Sequence, residues 1–127
     1  MTIEENKEIA KRFIQELQNA KNLEIIDELL IEDCLIHVSS KYVEKEKYKR
    51  IVESNHKYFP DMHIEVINQI AEGDIVASQW KNHFTHTHEI LGIKPTYEEM
   101  QISGVSIYKI IGGKIVEIWI YFDRPIK

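Results

Sequence analysis

The sequence predicts an α+β fold in which three helices come first and a long antiparallel sheet follows. Three observations carry that reading. Up to residue 59, apolar side chains recur at spacings of three and four among Glu, Lys and Gln, the period of an amphipathic helix. From residue 62 the period falls to two, the alternation of a strand. Turn chemistry at Glu72-Gly73-Asp74 and Gly112-Gly113 divides the alternating region into hairpins.

Each element has its own grounds. Thr2 followed by Glu5 has the form of a capping box, so the first helix starts at the beginning of the chain and runs to about 19–22, with Ile9, Ala10, Phe13, Ile14 and Leu17 as its apolar face. A shorter helix follows with Leu23, Ile26, Leu29 and Leu30 turned inward, and Glu32-Asp33 ends it before the strand-like segment 34–37. The polar stretch 38–41 is a turn. A third helix is expected over 44–59, where Tyr48, Ile51, Val52, Asn55 and Phe59 share a face and Pro60-Asp61 stops it. Strands are then expected over 62–70, 75–87, 100–111 and 114–123, with a loop carrying residues 91–96 between the second and third. Helices beside a long sheet must bury one sheet face, which makes a cone with a closed apolar end and an open end suited to a small ligand. Neither a repeat nor a linker interrupts residues 1–127, so one domain is expected.

Composition narrows the function classes. The 127 residues are 43% hydrophobic and 29% charged, and 16 basic against 21 acidic side chains leave a net charge of -5. No segment concentrates Lys and Arg beside stacking aromatics, which argues against a nucleic-acid surface. The acidic opening segment does not resemble a secretion signal, and no apolar run approaches the ~20 residues needed to cross a bilayer, so a soluble cytoplasmic protein without membrane contact is expected. The single Cys34 offers no internal disulfide and reads as a small buried side chain. There is no phosphate-binding glycine loop, nucleophile elbow or zinc-protease helix motif.

The residues that could carry chemistry lie in two places. Alternation along the last strand puts Val116, Ile118, Ile120 and Phe122 on one face and Glu117, Trp119, Tyr121 and Asp123 on the other. If the aromatic face is the inner one, Asp123 stands at the mouth of an apolar cavity, where desolvation suits a carboxyl to take and return a proton. The second place is the histidine-rich run 83–88. His86 and His88 share a parity opposite to His83 on an extended strand, and the metal-binding reading of such a pair needs ligands from other strands. No metal is expected; one of these histidines, or His37 at the end of the short strand, reads better as a pocket-lining group or a satisfied core histidine.

These residues also carry a resemblance. Phe59-Pro60-Asp61, the run from Ile70-Ala71-Glu72-Gly73-Asp74 to Trp80, Thr85-His86-Thr87, and Leu91-Gly92-Ile93-Lys94-Pro95-Thr96 resemble the SnoaL-like polyketide cyclase family of the NTF2-like superfamily. The closing segments, Gly104 to Ile110, Gly113 to Glu117 and Trp119 to Asp123, and the opening ones, Asn6-Lys7 through Phe13 and Asp33 to His37, resemble it as well. The resemblance implies an NTF2-like cone of three helices packed in a strongly curved mixed or antiparallel sheet, joined as a homodimer through sheet surfaces. It also implies cofactor-independent ring closure of a small hydrophobic carbonyl compound by intramolecular aldol chemistry. Asp123 would be the acid/base, His37 and His86 would orient the substrate oxygens, and Phe13, Phe59, Trp80, Tyr108, Trp119 and Tyr121 would line the pocket. Where family members often carry Gly, this chain has His88 and Tyr97, whose larger side chains are expected to reshape the rim. The main alternative is a non-catalytic binding module with the same pocket. An isomerase or an epoxide hydrolase is a further alternative, weakened because Arg12 and Arg124, the only arginines besides Arg50, are poorly placed for an Asp-Arg-Asp relay. The homodimer is also expected from the residues themselves, because Val105, Ile107 and Ile111 oppose Ile102, Tyr108 and Ile110, leaving apolar side chains on both sheet faces.

Overall fold

Thr2 accepts a hydrogen bond from the Glu5 N–H while Glu5 accepts one from the Thr2 N–H, and this reciprocal cap starts α1 (Ile3–Gln18) in the computed structural model, which describes residues 1–127. Its buried face holds Ala10, Phe13, Ile14 and Leu17, as the spacing predicts. The far end is tied to the sheet by Asn19, whose side chain donates to the Ile64 carbonyl at 2.9 Å and accepts from the Ile64 N–H at 2.8 Å. Helix α2 (Glu24–Leu29) buries Ile25, Ile26 and Leu29.

Here the structure departs from expectation. Leu30 opens strand β1 (Leu30–Val38) instead of closing the helix, and Glu32 and Asp33, expected as a helix stop, lie exposed within the strand. The pairing with β6 is interrupted between Leu30 and Leu35, and the two consecutive acidic side chains stay solvated in that break. Ser39 and Ser40, both at positive φ (48° and 72°), then turn the chain into a short strand not foreseen from the sequence, β2 (Lys41–Val43). Helix α3 (Lys45–Tyr58) buries Tyr48 and Val52 but leaves Ile51 exposed.

Strands β3 (His63–Glu72), β4 (Ile75–Thr85), β5 (Glu99–Ile111) and β6 (Lys114–Phe122) form the expected antiparallel run. Gly112 and Gly113, at φ 58° and 80°, supply the paired left-handed residues that the last hairpin turn requires. The complete sheet has the order β2-β1-β6-β5-β4-β3 and is mixed, because β1 runs parallel to β6. Twenty-five buried apolar side chains form one core between the helices and the inner sheet face. Cys34 is among them, and burial pushes its thiol up to about 12, so it stays protonated and inert at neutral pH. No helix is long and apolar enough to cross a membrane.

One irregularity changes the parity at the start of β6. Lys109 pairs with Glu117 but Ile110 pairs with Ile115, so Val116 is an extra residue in β6. That bulge puts Ile115 and Ile118 on the same, fully buried side, followed by Ile120 and Phe122. Beyond the bulge the alternation is regular, and Glu117, Trp119 and Tyr121 face outward.

Candidate functional site

A cavity of about 280 Å³ lies between α3 and the inner sheet face. Val52 and Tyr48 on α3 face Trp80 and Asn82 on β4, Ile102 on β5, and Ile120 and Phe122 on β6. Ile90 and Leu91 from the β4–β5 loop complete one side, and Gln18 from α1 and Asn55 from α3 add polar groups. The wall is predominantly apolar and holds no carboxylate and no imidazole. Its single ionisable side chain is Tyr48, whose hydroxyl burial keeps neutral.

The wall's centre is built on a close approach. Trp80 pairs with Gly104 across β4 and β5, and a methyl group at Gly104 would stand 2.5 Å from Cζ2 of the indole. Only glycine lets the ring lie over β5 there, and from that position its Nε1–H donates to the Ser106 hydroxyl at 2.9 Å. Asn82, two residue pairs further along on the same face, is different. No protein donor reaches its buried Oδ1.

The loop side is held by His86. It is fully buried, and its Nε2–H donates to the Ile93 carbonyl at 3.1 Å, leaving Nδ1 to accept from the Thr96 hydroxyl at 3.1 Å in the neutral ring. Backbone bonds from His86 N–H to Glu98 and from Tyr97 N–H to His86 close the same loop. Both ring nitrogens are thus occupied within the protein. The expectation that His86 orients a substrate oxygen gives way to a positioning role, in which it shapes the loop that brings Ile90 and Leu91 to the cavity. At the rim, Asp61 accepts from the backbone N–H and the hydroxyl of Thr85, and the Thr85 hydroxyl bond chiefly holds its carboxyl below the ordinary value of 3.8.

The remaining expected site residues separate. Asp123 is exposed on the outer side of the sheet, its N–H bonded to the Ser103 carbonyl and its neighbours Gln79, Val105 and Tyr121. It does not line the cavity, because the aromatic face of β6 turns outward. His37 also lies outside, pairing Nε2 with a carboxylate oxygen of Glu117 at 2.8 Å and stacking on Trp119 at 5.6 Å between ring centroids. Trp119 and Tyr121 therefore do not line this cavity; Tyr121 instead borders an open hollow on the outer face beside Asp123. Phe13 and Tyr108 meet edge to face at 6.0 Å in the closed end of the core, and Phe59 packs on Phe84. Of the six expected lining aromatics, Trp80 alone reaches the cavity. His88 packs on Tyr58 with the rings tilted, Tyr97 is 73% exposed, and neither lines the cavity. Asn82, Asn55 and Tyr48 were not singled out as site residues by sequence reasoning; for Asn82, the signal was a polar side chain at an inward-facing position of β4.

This cone, with its cavity between a helix and the concave sheet face, has counterparts. A sequence profile described as SnoaL-like polyketide cyclase matches residues 8–125. The chain belongs to the SnoaL-like polyketide cyclase family. Among solved structures, AclR of Streptomyces galilaeus, provisionally described as a hydroxylase, is similar with a TM-score of 0.85 at 25% identity over 96% of this chain and 91% of that one. A protein of Acidithiobacillus ferrooxidans provisionally described as a polyketide cyclase reaches 0.78 at 26% identity, covering 98% and 92%. IdmH of Streptomyces antibioticus, likewise provisionally described as a polyketide cyclase, shares the fold with a TM-score of 0.81 at 24% identity over 93% and 91%. A sequence comparison with curated proteins gives no match. The SnoaL-like fold is thus established, with its NTF2-like arrangement of three helices and a curved sheet.

Proposed function

We propose that this SnoaL-like protein takes one small, uncharged, mostly apolar carbonyl compound into the cavity between α3 and β4–β6. The observation that carries this is the lining: an apolar wall interrupted by neutral hydrogen-bonding groups at Gln18, Asn55, Asn82 and Tyr48. Such a wall gains from excluding water around an apolar skeleton and can meet a carbonyl oxygen with amide or phenolic donors. A charged ligand would lose its hydration there without an opposite charge to replace it. The test is titration with a panel of bicyclic ketones and diketones, read by Trp80 fluorescence in a Trp119→Phe background. Saturable quenching supports the reading; unchanged emission across the panel, with no competition between compounds, would sink it.

Family membership favours a second reading, in which the bound compound undergoes cofactor-free aldol ring closure. That reaction needs a base to remove the proton alpha to one carbonyl, after which the enolate carbon bonds to a second carbonyl carbon and the alkoxide regains a proton. The cavity wall supplies donors for the developing oxyanion but no base at neutral pH. Asp123, one residue beyond the cavity-lining Phe122, is the carboxylate this reading would have to bring inward. Turnover of a candidate substrate that disappears in Asp123→Asn, with folding intact, would establish it; turnover that survives in that variant would remove Asp123 from the chemistry.

The outer sheet face supports a homodimer. Val105, Ile107 and Trp119 lie half-buried there beside the more exposed Leu35 and Tyr121, an apolar area that a second copy would cover.

A further inference from the structure

We propose that Asn82 selects the ligand by hydrogen bonding through its side-chain amide to a hydroxyl group on the compound that fills the cavity. The inference rests on the cavity reading above and adds to it a residue and a chemical group. Asn82 points inward from β4, paired across the sheet with Ile64 and Ile102, and stands between Trp80 and Phe84 on the same face. Its neighbours in the wall are apolar, and its Oδ1 is buried where no protein donor reaches it. A buried carbonyl oxygen without a donor lowers stability, and an apolar side chain of the same shape would avoid that loss. Beside it in the wall, Trp80 has its partner within the fold, donating to Ser106. Asn82 is the member of the wall with a buried polar atom that no protein group meets.

The amide also tells what it would meet. The unpartnered atom is the carbonyl oxygen Oδ1, an acceptor, and the amide nitrogen beside it is a donor. A ligand hydroxyl answers both, donating to Oδ1 or accepting from Nδ2, whereas an ether or a ketone can only accept. Only the hydroxyl relieves the unpartnered oxygen. The ligand class narrows to hydroxylated or enolised carbonyl compounds, including phenols.

The experiment compares 2-naphthol with 2-methoxynaphthalene on the wild-type chain and on Asn82→Leu, both in the Trp119→Phe background, by fluorescence titration. The wild-type side chain is expected to favour the naphthol by roughly tenfold, the range of one buried hydrogen bond. Asn82→Leu is expected to bind both probes and to lose the preference. The same variant, without ligand, is expected to melt at or above the wild-type temperature, which a structural asparagine would not allow. Asn82→Ala stands in should leucine not fold. Equal binding of the two probes to the wild type, a preference that survives Asn82→Leu, or a lowered melting temperature in both variants overturns the proposal and leaves the cavity reading standing. A resident water that already satisfies Oδ1 would produce the first of these results. Absence of any binding by either probe overturns the proposal, and the ketone titration above decides separately whether the cavity reading beneath it falls as well.

Discussion

The two faces of one sheet look alike in sequence and differ in what they can do. The outer face of β6 carries the residues that chemistry usually draws on: Glu117 paired with His37, two aromatics, and Asp123 at the strand end. The inner face carries Ile115, Ile118, Ile120 and Phe122. Yet the inner face is concave and closed by α3, and it owns the cavity. Reactive residue types on a convex surface remain solvated, while amide and phenol groups in a dry concavity act with little competition from water. Shape decides between the faces, and side-chain type does not.

Predictions that would break or sharpen this contrast run from large to small. Ile118 is completely buried, so Ile118→Ala should destabilise the protein by about 3–4 kcal/mol in chemical denaturation, while the outward Tyr121→Ala should stay within about 1 kcal/mol. Reversed magnitudes would mean that the faces have been exchanged. Gly104→Ala would set a methyl group 2.5 Å from both the Trp80 ring and the Tyr121 carbonyl oxygen, and should cost about 2–3 kcal/mol and disturb the cavity wall. On the outer face, Trp119→Glu should change stability of the single chain by no more than about 1 kcal/mol but shift light-scattering mass from dimer to monomer. A wild-type chain that is monomeric at micromolar concentration would remove the dimer from the account.

A pH effect comes next. Burial, reinforced by Lys21, lowers the His56 imidazole below its ordinary 6.5. The unfolded chain therefore takes up that proton first, so the contribution of neutral His56 is present above about pH 6.5 and is lost as pH falls through the lower folded value. Denaturation midpoints measured from pH 7.5 to 5 should decline, and His56→Gln should flatten part of that slope. The smallest effect is expected at Tyr97, a non-glycine residue at φ 60° with its ring in solvent, where Tyr97→Gly should leave stability unchanged or raise it by up to about 1 kcal/mol.

Much of this architecture was legible beforehand. The capping box at Thr2 and Glu5, the Gly112-Gly113 turn and the alternation through β5 are local signals, and each produces its element through interactions within a few residues. The split of β6 into an apolar and an aromatic face holds from Glu117 onward, but Val116, read onto the apolar face, is the extra residue of a bulge and Ile115 takes the buried place. What could not be read was which of the two faces turns inward, because that depends on packing against helices far away in the chain. Asp123, Trp119 and Tyr121 were expected at the cavity because the family resemblance implied it and the alternation allowed the aromatic face to be the inner one; the helices instead cover the aliphatic face. His86 was legible as unusual but not as a loop anchor, since its partners Ile93 and Thr96 reach it only once the loop folds back. Asn82 was overlooked because an inward polar residue in a strand becomes notable only when its partners can be counted.

The contrast between the faces can be read directly, because the chain has two tryptophans and they report on opposite sides of the sheet: Trp80 in the cavity wall and Trp119 outside. Following the two indole N–H resonances by NMR at fixed protein concentration during titration with a hydroxylated bicyclic ketone tests the central claim. The account predicts a saturable shift of the Trp80 resonance with Trp119 unmoved. A shift confined to Trp119 would place the ligand on the outer face beside His37, Glu117 and Asp123 and contradict it.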